Sequence, residues 1–453
     1  MRKPILFLAL ILASFRSFPC HAVDQPSAES ALARYVSKPD ASFEWKIRRM
    51  GTFKNSSYTE LSFTSQTWRN IVWRHQLFII RPSTANPTNE HAMLVIAGGR
   101  WRKELENPPT EKTLPGSAAI FVAAAEKIGH PVAVLLQVPY QPILEGRFED
   151  EAIAHTFEQY MRSGDDNWPL LLPMVKSAVR AMDAIQQYAE QTWSLPIATF
   201  TVTGASKRGW TTWLTGAIDS RVTALAPMVI DMLNMKEQME HQVNVWGKPS
   251  EQIQDYTKRD LHRQLDSAQG KRLRDIVDPY SYRSFLSQPK LIILGTNDAY
   301  WPVDAVNLYW NELQGENYVV YIPNQGHGIF DIQRIVGGLH ALNRHAIGSQ
   351  PLPKLNWKFN IHEHNVTVQI QSDQDPDLVR TWIAKQSQRD FRNARWKSYP
   401  CEIRENLYTH QFPVDKEAFQ AVFTEVKYKR LPTPLFLSST VKVIPPQHHR
   451  TEQ

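Results

Sequence analysis

Residues 198–219, ATFTVTGASKRGWTTWLTGAID, restrict the possible folds more than any other stretch. An apolar, β-branched run from Thr199 to Thr203 leads into Gly204-Ala205-Ser206-Lys207-Arg208-Gly209, and Trp210 to Ile218 then has the texture of a buried helix. Strand, sharp turn with a serine at its tip, then helix is the layout of a nucleophile elbow. Such an elbow lifts a hydroxyl clear of the sheet edge and aims the free N–H groups of the helix start at a developing oxyanion. Glycine suits position 204 because the turn brings two backbone segments together. The usual pattern is G-x-S-x-G; here Arg208 holds the second glycine position and Gly209 follows one place later. Taken alone, the stretch reads equally as a βα turn capped by a serine, so the order of the remaining chain decides between the two.

That order is strict. Met93–Ala97, Val132–Val138, the run before Ser206, Val222–Ile230, Leu291–Leu294 and Tyr318–Ile322 are short and apolar, as strands buried on both faces are. Helical patterns at Ser117–Ile128, Leu170–Glu190, Trp210–Ile218, Val303–Leu313 and Gly328–His345 alternate with them, and two strands, Leu61–Trp68 and Trp73–Arg81, come first. Residues 23–57 read as a polar lead-in, partly helical near Ser30–Val36. The alternation predicts an α/β protein of the α/β-hydrolase fold, with a mostly parallel sheet wrapped on both sides, over residues 23–349. Residues 140–169 and 231–289 interrupt the pattern as two insertions, where such folds carry lids. Beyond Pro351 and Pro353, the segments Asn356–Ile361, His364–Gln371, Val379–Lys385 and Leu435–Val443 alternate like half-buried strands and predict a small β-sandwich over 350–444. A polar tail, 445–453, ends the chain.

A serine needs a base to take its proton, and a histidine needs an acid to hold its tautomer. In this fold they follow the serine in the order acid, histidine, each on the loop after a strand. Asp298 follows the run Leu291-Ile292-Ile293-Leu294-Gly295-Thr296-Asn297, and His327 follows Tyr318–Pro323 in Asn324-Gln325-Gly326-His327-Gly328. Ser206, Asp298 and His327 are therefore the candidate catalytic residues. Singly, Asp298 also reads as a turn residue, His327 as one structural histidine among 15, and Asp304 as a rival acid. An oxyanion hole needs preorganised donors. The backbone N–H of Lys207 is one candidate, and the loop Gly98-Gly99-Arg100 after Met93–Ala97 offers Gly99 and Arg100 for the other. Trp101, Trp168, Trp210, Trp213, Trp246 and Trp301 fall near these loops or the insertions and serve either core packing or a pocket wall. His362 and His364 share a face of one expected strand, with no third metal ligand in view. The pattern calls for no cofactor and no metal.

Met1 to Ala22 reads as a secretory signal: Arg2 and Lys3, then ILFLALILASF, then Cys20-His21-Ala22 at the cleavage point. Its removal lowers the formal charge from +6 to +3 and leaves Cys401 as the single cysteine, hence no internal disulfide. No later stretch reaches the roughly 18 apolar residues of a membrane span. The small positive surplus, without a long basic run, argues against a nucleic-acid partner. An exported, periplasmic or secreted protein without a membrane anchor is the expectation. Its partner would be a small-molecule ester or peptide substrate, and the β-sandwich offers a surface for a protein partner.

Longer blocks carry a resemblance. GASKRGWTTWLTGAIDSRVTALAPMVIDMLNM, with QVPYQPI and WPLLLPMVKSAVRAMD upstream and LGTNDAYWPVD and SQRDFRNARW downstream, resembles the PhoPQ-activated pathogenicity-related proteins from about residue 35 to about 440. The resemblance implies export, an α/β-hydrolase core and hydrolase-like chemistry of unsettled substrate. A shorter likeness, G-x-S-[KR]-x-G over Gly204 to Gly209, is similar to the elbow of glucuronoyl esterases and implies that Lys207 helps hold the oxyanion of an ester substrate. Two functions follow from these features. One is an exported serine hydrolase working through an acyl-enzyme. The other is a secreted signalling or binding protein that keeps the fold with little or no turnover.

Overall fold

A computed structural model describes residues 30–85, 90–107, 118–362 and 364–447. The expected signal segment, 1–22, and the last six residues of the tail lie outside the described residues. The central sheet comprises β1 (Glu44–Phe53), β2 (Ser56–Trp68), β3 (Ile71–Arg81), β4 (His91–Ile96), β5 (Val132–Leu135), β6 (Thr199–Ala205), β7 (Val222–Met228), β8 (Lys290–Gly295) and β9 (Asn317–Ile322). Their spatial order is β1-β2-β3-β5-β4-β6-β7-β8-β9. The first pairs are antiparallel, and β5-β4-β6-β7-β8-β9 are parallel. The swap of β4 and β5, with the serine turn after β6, is the α/β-hydrolase arrangement.

The helices are α1 (Ala31–Ser37), α2 (Ala119–Ile128), α3 (Glu149–Ser163), α4 (Leu171–Trp193), α5 (Lys207–Ile218), α6 (Met235–Trp246), α7 (Gln254–Thr257), α8 (Ala268–Val277) and α9 (Ile332–Ala346). They cover both sheet faces, and the strands show why. Successive side chains point to opposite faces. In β8, Ile292 and Leu294 join a core with Ala178 and Ile185 of α4 and Leu214 of α5, while Leu291 and Ile293 join one with Ala125 of α2 and Leu342 of α9. A strand buried on both faces can carry an unbroken apolar run, and these strands do.

The lead-in contains a strand the sequence reading lacks. β1 is an edge strand of mixed burial, and its charges break the alternation. Arg49 Nε nevertheless lies 2.6 Å from Glu60 Oε2 of β2, a carboxylate 1% exposed. The expected helix Val303–Leu313 is a correction. It breaks into short 3₁₀ turns, Ala305–Leu308 and Trp310–Glu312. Between them Tyr309 takes φ −144° and drives its ring into the core, where its hydroxyl bonds Asp231 Oδ1 at 2.7 Å.

The C-terminal strands are β10 (Leu355–Ile361), β11 (Asn365–Ser372), β12 (Leu378–Gln386), β13 (Lys397–Pro400), β14 (Glu402–Arg404), β15 (Leu407–Pro413), β16 (Phe419–Tyr428), β17 (Leu435–Ser438) and β18 (Lys442–Ile444). They form two antiparallel layers, with Val366, Val368 and Phe412 of one packed on Ile383, Val422 and Ile444 of the other. One layer is β10-β11-β15-β14; the other, β17-β16-β12-β13, continues the central sheet, because β17 pairs with β9 at Ser438 and Val319. The expectation of a sandwich set apart from residue 350 is altered in that respect: β17 covers the edge that β9 would otherwise leave open. His362 and His364 fall in the turn between β10 and β11 rather than on one strand face.

Candidate active site

Ser206 ends the turn between β6 and α5 with φ 58° and ψ −126°, a conformation a serine adopts only under constraint. The constraint is visible. A Cβ at Gly204 would lie 2.7 Å from the Arg208 carbonyl oxygen, and one at Gly209 would lie 2.6 Å from Ile230 Cγ2. Only glycines let α5 press this closely on β6 and β7. The Ser206 amide donates to the Met228 carbonyl at 2.8 Å, tying the turn to the end of β7.

Three loop tips meet at this rim of the sheet. Ser206 Oγ is 2.8 Å from His327 Nε2, and His327 Nδ1 is 2.9 Å from Asp298 Oδ2. The other carboxylate oxygen, Asp298 Oδ1, accepts the Tyr300 amide at 2.9 Å. The Tyr300 ring lies on the imidazole, with centroids 4.1 Å apart. Burial and the nearby carboxylates Asp150 and Asp298 push the Tyr300 phenol up to about 12, so it is neutral. The rival acid is engaged elsewhere: Asp304 bonds His241 at 2.8 Å and Arg389 at 2.6 Å.

Arg208, in place of the usual glycine, threads its side chain beneath the loop after β4. Its Nε donates to the Val138 carbonyl at 2.5 Å, and its two terminal nitrogens bond Glu149 at 2.8 and 2.6 Å. A Cβ at Gly98 would collide with the Arg208 guanidinium, so the glycine lets that group pack close against the backbone. Burial works to raise the Glu149 carboxyl, but the hydrogen bonds and charge of Arg208, with Gln141 and Lys207, outweigh it and bring it down to about 2. Gln141 carries the network onward: its Nε2 donates to Glu149 Oε1 at 2.7 Å and to the Gly99 carbonyl at 2.9 Å. The Gly98 carbonyl accepts from the Gln137 amide at 2.9 Å. With both carbonyls held, the N–H groups of Gly99 and Arg100 face the opposite way, because a trans peptide sets the two groups antiparallel. The Arg100 side chain is exposed and lies 5.4 Å from the centroid of the Phe148 ring.

The Lys207 side chain, for which the resemblance implies help with the oxyanion, is held by two carboxylates. Nζ is 2.8 Å from Asp150 Oδ2 and 3.4 Å from Glu149 Oε2. Asp150 Oδ1 accepts the Tyr256 hydroxyl at 3.0 Å. The charge of Lys207 is thus neutralised by the start of α3, and its backbone N–H remains the candidate oxyanion donor. Of the tryptophans, Trp210 and Trp301 line the cavity beside Ser206, whereas Trp213 is wholly buried in the core.

A second set of contacts reaches the site from the far end of the chain. Asn297, next to Asp298, donates from Nδ2 to the carbonyls of Phe391, Arg392 and Ala394 at 3.2, 3.2 and 2.7 Å. Asn324, three residues before His327, exchanges two bonds with the Trp396 backbone, at 3.2 and 2.8 Å. Sequence reading missed these residues and the Glu149–Asp150 pair. Glu149 and Asp150 lie in the first insertion and the two asparagines beside the candidate loops, but their partners are about sixty, and seventy or more, positions away.

A family model described as PhoPQ-activated pathogenicity-related protein matches residues 32–392. Autocrine proliferation repressor protein A of Dictyostelium discoideum is 30% identical over 414 residues, covering 86% of this chain and 78% of that protein. Among solved structures, the acetyl xylan esterase from Paenibacillus sp. R4 has a TM-score of 0.46 at 13% identity, covering 68% of this chain and 92% of its own. The glucuronoyl esterase from Solibacter usitatus has a TM-score of 0.37 at 11% identity, covering 67% and 88%. At such scores the fold assignment rests on the strand order and not on these neighbours. The family match runs from α1 past β12 and takes in the serine, aspartate and histidine loops alike, so the chain belongs to the PhoPQ-activated pathogenicity-related protein family.

Proposed function

We propose that the protein is an exported serine hydrolase that cleaves a carboxylic ester or amide through an acyl-enzyme on Ser206. His327 takes the serine proton at Nε2 as Oγ attacks the carbonyl carbon, and returns it to the departing alcohol or amine. Asp298 holds the Nδ1–H tautomer and balances the imidazolium. The backbone N–H of Lys207, with that of Gly99 or Arg100, receives the oxyanion; one such donor is worth about 3 kcal/mol of barrier. A water activated by His327 then releases the acyl group. The observation that carries this reading is the continuous chain Ser206 Oγ, His327 Nε2, His327 Nδ1, Asp298 Oδ2, with links of 2.8 and 2.9 Å. Export rests on the sequence pattern of residues 1–22.

The 30% identity to a protein named as an autocrine proliferation repressor favours a second reading, a secreted signalling protein that retains the fold, with the C-terminal layers as its contact surface. A fluorophosphonate reagent separates the two. Labelling of the wild type but not of Ser206→Ala or His327→Ala is the expected result. A folded wild type that takes no label at any pH from 6 to 9 would leave the signalling reading.

A further inference from the structure

Beside Ser206 and His327 lies a cavity of about 80 Å³. Its walls come mainly from the two insertions, with Phe157 of α3, Met232, Met239, Leu261 and Leu273 among the lining residues together with Trp210 of α5. The charged groups at its mouth, Lys207 and Asp150, are paired with each other at 2.8 Å, and the second Asp150 oxygen is taken by Tyr256. Other polar atoms on the wall, among them Trp301 Nε1 and His262 Nδ1, which have no protein partner, are neutral; burial lowers the His262 imidazole below its ordinary value. Among the described residues that line the cavity, no free charge is left to hold a uronate carboxylate or a substrate ammonium, and burying either without a partner is costly.

We propose that this cavity seats the acyl part of the substrate, and that the protein acts on esters of unbranched, uncharged acids of about four to eight carbons. The proposal rests on the hydrolase reading above. The group that stays on the serine through both steps belongs in the apolar cavity, while the leaving alcohol must depart before water enters. One water needs about 10–15 Å³ of such space, and a methylene displaces about as much as a water. The cavity therefore has room for a short chain of several atoms and not for a single methyl group alone. Met232, Met235 and Met239 give the wall flexible side chains that adapt to a chain rather than to one rigid ring.

The test is kcat/KM of the full chain on p-nitrophenyl esters from acetate to palmitate, beside a methyl glucuronate ester and alanyl p-nitroanilide. The expected result is a rise of about fourfold per methylene from acetate, a maximum between butyrate and octanoate, and a fall by palmitate. Met239→Trp, which narrows the cavity, should move the maximum to shorter chains. A maximum at acetate or palmitate, or preference for the glucuronate ester or the anilide, overturns the proposal while fluorophosphonate labelling of Ser206 keeps the hydrolase reading. Absence of both turnover and labelling removes the hydrolase reading and the acyl site with it.

Discussion

Arg208 shows at the scale of one residue how a departure from a motif is resolved. The glycine expected there would leave space; the arginine instead ties the elbow to Val138 and Glu149, and through Gln141 to Gly99. Nothing in the local sequence reveals this, because Glu149 is 59 positions away. Asp231 is a second case. Buried at 4% exposure, it is raised to about 8 by burial, with the Tyr309 hydrogen bond opposing and the charges of Asp298 and Asp304 adding to the rise. Its ordinary value is 3.8, so between pH 4 and 8 the folded state holds a proton that the unfolded state releases. Folding stability from this group is therefore full below pH 4 and is lost as pH rises through 8. Asp231→Asn has no such proton. Its stability relative to wild type, measured by urea unfolding, should improve between pH 5 and pH 8; a constant difference would show that Asp231 is ionised in the folded protein.

Among the elements, the buried strands and long helices were legible because an apolar run or a 3.6-residue period survives any context. The edge strand β1 was not, since its partly exposed face carries charge. The 303–313 stretch has helical spacing but breaks where Tyr309 reaches Asp231. The segment 387–396 matters differently. Between β12 and β13 it presents carbonyls to Asn297 and backbone groups to Asn324, and so fixes the loops of Asp298 and His327 relative to each other. Asn297→Ala and Asn324→Ala should lower kcat about ten- to a hundredfold with little change in KM, as expected when a catalytic group is displaced by about 1 Å. A parallel thermal melt checks the alternative: a fall in activity matched by general loss of folded protein would mark these asparagines as structural only.

For the whole molecule, the C-terminal region is part of the sheet and not an appendage. β17 bonds to β9, the 387–396 loop holds the site, and Tyr321 of β9 packs on Phe423 of β16 with ring centroids 5.2 Å apart. A chain ended at Ser349 would bare the β9 edge and the apolar face of Val319 and Tyr321. It should be recovered as aggregate, whereas the full chain stays in solution; size-exclusion chromatography of both checks this. A soluble, labelled 1–349 fragment would show that the central sheet completes itself.

Local pattern alone determined the alternation of strand and helix, the serine turn after the third of the parallel strands in chain order, and the loops bearing Asp298 and His327, because burial on both faces of a sheet leaves its mark residue by residue. Tertiary structure alone decided which groups neutralise Lys207 and Arg208, how the two insertions line an apolar cavity, and that one of the two C-terminal layers extends the sheet. Those outcomes depend on contacts between segments far apart in the chain, and no periodicity records which distant partner a buried charge or an open strand edge will find.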